Sequence, residues 1–184
     1  PQPVHQAPLK ARDWSLLCSW VTFLAALRAA ADREVDAFWM VREGLALLQG
    51  SPLVHSDVWS WAPVDRHFVP TSPLWQFALA QSWKWAGLHG VFLLSFTSIA
   101  LALTFLAFLA RAIGAGPELT VAILITISIL AAPLFVARAA LPALTLFAAL
   151  VLVAATQRYR LRHMTVVAAF AAPALALGVT TWLG

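Results

Sequence analysis

Residues 87–110, GLHGVFLLSFTSIALALTFLAFLA, run for 24 positions without a charged side chain. Coiled as a helix, the run is ~36 Å long at ~1.5 Å per residue, enough to cross a hydrocarbon layer of ~30 Å. Four more apolar runs have comparable length, at 14–31, 119–136, 139–156 and 164–184. Hydrophobic residues make up 61% of the 184-residue chain and charged ones 11%. A soluble domain carries roughly 25% charged residues, so this chain has too few to clothe a water-facing surface. The expected fold class is an all-α membrane protein of about five transmembrane helices. Residues 1–13 are read as a cytoplasmic tail, 14–184 as a single membrane domain.

Residues 32–86 differ from the rest. They hold six of the eight acids (Asp32, Glu34, Asp36, Glu43, Asp57, Asp65) and six of the nine tryptophans. Residues 34–48 read as a short amphipathic helix, stopped by Gly50, Ser51 and Pro52. A second short helix over 74–85 follows Pro73, a residue suited to a first helical turn. Each is too short and too charged to span, and tryptophan favours the membrane–water boundary. Segment 32–86 is therefore expected to be one large outer loop carrying two interfacial helices.

The cations orient the chain. Lys10, Arg12, Arg111, Arg158, Arg160 and Arg162 fall on one side if all five runs span, and the acid-rich loop falls on the other. The positive-inside rule puts the N-terminus in the cytoplasm. The first run lacks a small-residue cleavage site after it and reads as a retained anchor, with Arg28 near its far end placed to snorkel toward the interface. Ten arginines against two lysines, with abundant alanine, suggest GC-rich bacterial coding, hence a bacterial inner membrane. No basic stripe with interleaved aromatics is present, so nucleic acid is not an expected partner. The lone Cys18 permits no intrachain disulfide and reads as a small packed residue. The runs at 87–156 carry only Thr and Ser at mid-depth, which disfavours a transporter.

Chemistry is expected in the outer loop, where the polar groups concentrate. Carboxylates at a membrane boundary suit general-base work, and a pair of them suits a divalent cation; two clusters qualify, Asp32, Glu34 and Asp36 directly after the first run, and Asp57 with His55, Asp65, Arg66 and His67 around it. Glu43 lies seven residues beyond Asp36, two helical turns on and nearly on the same face. Arg42, Arg66 and His67 are cations or potential cations of the same loop, and Trp59 and Trp61 offer faces for stacking on a sugar or lipid. Arg138 stands alone between two apolar runs, where a charge is costly and often functional. Solvated loop charges and boundary-anchoring tryptophans are the plainer reading of the same residues.

The stretch from Glu34 to Gly44 (EVDAFWMVREG), then Leu47-Leu48 and Gly50, then Ser56-Asp57-Val58-Trp59-Ser60-Trp61, then Pro73-Leu74-Trp75-Gln76, resembles the first outer loop of the GT-C superfamily of multi-spanning membrane glycosyltransferases. Arg138 to Pro142 partly resembles the outer end of a later span of that family. The resemblance covers residues 14–156 and implies transfer of a sugar from a polyprenyl-phosphate donor at the outer membrane face. It implies that Asp36 deprotonates or orients the acceptor hydroxyl, with Asp57 as a second catalytic acid, and that a metal ion or Arg42, Arg66 and Arg138, with His67 beside them, bind and neutralise the leaving phosphate. Members of the family carry more spans than five, so the chain is expected to be an N-terminal part or a reduced relative. The alternative expectation is a non-catalytic helical subunit of a larger membrane complex, since alanine-rich runs suit close helix packing.

Overall fold

A computed structural model of the chain describes residues 10–31, 36–51, 72–135, 137 and 140–157. All regular structure among the described residues is helical. The order is α1 (Ala11–Ala30), α2 (Asp36–Leu48), α3 (Pro73–Ala112), α4 (Pro117–Leu130), a 3-10 turn (Ala132–Leu134) and α5 (Ala140–Gln157). The expected runs at 14–31 and 139–156 correspond to α1 and α5, and the helix expected at 34–48 is α2 from Asp36 onward. The run at 164–184 lies outside the described residues.

Local chemistry accounts for the ends. The Asp13 carboxylate accepts the Lys10 backbone N–H at 3.0 Å, satisfying a free donor at the start of α1. Pro73 and Pro117 open α3 and α4 at positions where the missing N–H has no helical partner to lose. Between α3 and α4 the chain turns through Gly114, at φ 104°, and Arg111 donates from its side chain to the Ala115 carbonyl. α4 is shorter than its expected 119–136 because Pro133 cannot continue an α-helix; the chain tightens into the 3-10 turn after Leu130.

α3 is the hub, since α1, α2, α4 and α5 all pack on it. The core is built from Leu24, Ala25, Ile99, Ala102, Leu103, Leu124, Phe135 and Leu141. Thr145 donates to the Ser98 carbonyl at 3.2 Å and ties α5 to α3. α3 is also the one described helix long and apolar enough to cross a membrane; Pro117–Leu130 and Ala140–Ala154 are shorter apolar helices. Many large apolar side chains face outward, among them Phe23, Leu88, Leu93, Leu101, Phe108, Leu119 and Phe147.

α3 is not straight. Ala86 (φ −146°, ψ 20°) and Gly87 (φ 57°, ψ −135°) leave helical geometry, and the positive φ at 87 suits glycine. In a straight helix residues 82 and 90 would stand ~12 Å apart along the axis. Here a Cβ on Gly90 would fall 1.9 Å from the Ser82 carbonyl oxygen, so the chain folds sharply at 86–87. The short helix expected at 74–85 is thus the first arm of α3, and the uncharged run from 87 is the second.

Candidate functional site

α2 and the first arm of α3 form an antiparallel pair. Phe38, early in α2, meets Trp83, late in the arm, edge to face with centroids 6.3 Å apart. Farther along, Gly44 lies so near the arm that a Cβ would sit 2.0 Å from the Gln76 carbonyl oxygen and 2.7 Å from the Ala80 Cβ. That approach places polar side chains at the seam. Gln76 is 2% exposed and donates its amide Nε2–H to the half-buried Glu43 carboxylate. Ala37, Val41, Trp75, Leu79 and Ala80 are buried around the same layer.

The arm is pinned to the rest of the bundle at its other end. The Trp75 indole, 7% exposed, donates from Nε1 to the Ala137 carbonyl at 3.3 Å. Ala137, between the 3-10 turn and α5, therefore lies against the arm. Phe135, 1% exposed, anchors that connection in the core.

These contacts locate part of the expected site. Asp36 is the first residue of α2, near the kink end of the antiparallel pair. Glu43 follows two turns later, and Arg42 is exposed beside it. Asp57, Trp59, Trp61, Arg66, His67 and Arg138 lie outside the described residues. Among the described residues, no three His, Cys, Asp or Glu side chains gather as metal ligands. His89 is exposed just past the kink.

Two polar contacts were missed by the sequence reading. Gln76 belongs to the buried face 75, 76, 79, 80 of the arm, so its amide meets α2 instead of water. Arg28, near the far end of α1, donates from Nε to Ser128 Oγ on α4 at 3.1 Å. A signal for that contact existed: position 28 extends the stripe 17, 21, 24 of α1, and 128 extends the stripe 120, 121, 124 of α4.

The class these features define, among the described residues, is an all-helical protein with one helix of membrane-crossing length and composition and a polar seam in the helical pair attached to it. No protein family, no curated protein and no solved structure matches the chain.

Proposed function

We propose that the chain is a membrane glycosyltransferase, or the N-terminal part of one, that transfers a sugar from a polyprenyl-phosphate donor at the outer face of a bacterial inner membrane. The observation that carries this reading is the antiparallel pair of α2 and the first arm of α3. It is folded across the Gly87 kink from the apolar second arm, and it carries Asp36 at its start and Glu43 in its seam. A water-facing acceptor and a lipid-borne donor need such a layer, where a carboxylate stands beside a lipid-facing bundle. In this reading Asp36 is the base and Glu43, oriented by Gln76, is a binding residue. Asp57 is a second acid, while Arg42, Arg66, His67, Arg138, Trp59 and Trp61 serve the donor.

The membrane setting is supported by the outward-facing Leu93, Leu101, Phe108 and Phe147, too many large apolar groups for a surface facing water. Five spans with the N-terminus inside are part of the proposal. The test is sugar transfer from a polyprenyl-phosphate donor by the purified chain, with product formation expected and its absence under all donors overturning the reading. The second reading is a non-catalytic subunit. It draws on Leu74, Phe77 and Trp85, which leave apolar surface exposed along the arm, where a partner helix would sit. A stoichiometric membrane partner that co-purifies with an inactive chain would decide for it.

A further inference from the structure

Leu17, Val21, Leu24 and residue 28 make one face of α1, with the 4, 3, 4 spacing of a packing stripe. Leu17 and Leu24 are buried on it and Val21 packs against the core. An apolar side chain would suit the fourth place, and the chain puts a guanidinium there. Arg28 is half-buried, and its Nε donates to Ser128, which is 1% exposed. Ser128 occupies the matching place on α4, after Thr120, Val121 and Leu124. The contact therefore joins two polar groups set where two apolar faces meet.

A serine hydroxyl is neutral. It accepts one of five guanidinium N–H groups and brings no countercharge. Among the described residues Arg28 meets no carboxylate. A cation among apolar side chains is unfavourable until an anion joins it, and a guanidinium fork matches the oxygens of a phosphate.

We propose that Arg28, oriented by Ser128, is the seat of a lipid-borne phosphate at the end of the bundle that carries α2. Holding Nε fixes the plane of the guanidinium and leaves both Nη groups for two phosphate oxygens. The chain limits how far the site can lie from the candidate base. Arg28 is three residues before Ala31, and the five steps from Ala31 to Asp36 span at most ~18 Å. Assigning the phosphate to the carrier of an activated sugar rests on the glycosyl-transfer reading, but the phosphate seat itself does not.

The test is binding to the full chain in a phosphate-free maltoside detergent, read by native mass spectrometry. The probes are a long polyprenyl monophosphate, the matching polyprenol and phosphatidylglycerol. The monophosphate is expected to bind at least tenfold more tightly than the polyprenol. Arg28→Gln, which can still reach Ser128, is expected to lose that preference, Arg28→Lys to keep part of it, and the thermal midpoint of Arg28→Gln to stay within a few degrees of wild type. Loss of a hydrogen-bonded charge makes a tenfold or larger drop the expected size. Phosphatidylglycerol binding as tightly as the monophosphate would assign the seat to bilayer headgroups; a tenfold preference for the monophosphate would assign it to the carrier. Either result upholds a phosphate seat.

Equal binding of polyprenol and monophosphate by the wild type would overturn the proposal, a comparison that holds even if Arg28→Gln fails to fold. So would unchanged binding in Arg28→Gln with a lowered midpoint, which marks a packing or internal ion-pair role. Phosphate binding that depends on Arg28 in a chain with no transfer activity would keep the site and remove the enzyme.

Discussion

Asp36 opens α2, and everything asked of it follows from that place. The residue stands at the kink end of the helical pair, beside the level at which the uncharged arm of α3 begins. If it is the base, Asp36→Asn keeps its size and removes its proton-accepting charge. The expected loss is ~10²–10⁴-fold in transfer rate with an unchanged thermal midpoint, since general-base catalysis supplies about that factor. Wild-type turnover in the Asn variant would remove Asp36 from the mechanism. Gln76 gives a second test at this scale. Gln76→Leu keeps the volume but takes away a donor from the half-buried Glu43 carboxylate, at an expected cost of about 1–3 kcal/mol, visible as a lower midpoint. Gln76→Glu should do worse, since it sets two carboxylates face to face. Asp36 and Glu43 were legible in the sequence because charge clusters in 32–86. Gln76 was not, because its partner lies 33 residues away, and Ser128 shows only through its place in a helical stripe, its partner lying 100 residues away.

The helices themselves were largely legible. α2 is bounded by the Gly50 turn, α5 by the length of its apolar run, and the break in α3 by the change from Trp83, Lys84 and Trp85 to a run with no charge. What periodicity did not give was how sharply the chain folds at Gly87, or how closely the first arm of α3 would meet α2. The first depends on a backbone angle, the second on a glycine whose neighbours are distant in sequence. At Gly87 the backbone adopts φ 57° and ψ −135°, with open space around a would-be Cβ, so the demand there is conformational. Gly87→Ala should cost about 1–3 kcal/mol of backbone strain, and Gly87→Val more. At Gly44 the backbone is helical and the demand is steric. Gly44→Leu must push the arm away and should separate Phe38 from Trp83, with an altered tryptophan emission and weakened retention of the α2 layer under limited proteolysis. An unaltered emission spectrum and digestion pattern would show that the two helices do not meet as described. α4 was overestimated because the hydropathy of 119–136 is uniform, whereas the stop at Leu130 is set by the ring of Pro133.

At the scale of the molecule the open matter is how many times the proposed membrane protein crosses. Among the described residues α3 alone has both the length and the composition, and α4 with its 3-10 turn spans only about 27 Å, from 14 residues at ~1.5 Å and three at ~2.0 Å. Two arrangements are then available for α4 and α5: two full crossings, or a shallow hairpin that enters and leaves by one face. Both place residues 116 and 157 on the same side, so those ends cannot discriminate. The connection between the helices can. Ala137 accepts the Trp75 hydrogen bond from the arm of α3, while the 113–116 turn lies at the other end of α3, beyond its second arm. A connection held on the arm implies that α4 runs the depth of the bundle, which favours crossing. In a Cys18→Ser background, Ser51→Cys and Leu134→Cys should react with a membrane-impermeant maleimide added outside intact cells. Gly116→Cys and Arg160→Cys should react only after permeabilisation if the positive-inside rule holds for the arginine run at 158–162. Ser51 and Leu134 are both exposed, so access to the reagent depends on sidedness and not on burial. Labelling at 51 but not at 134 would leave α4 and α5 as a hairpin on the cytoplasmic side. Labelling at 160 from outside would overturn the five-span topology altogether.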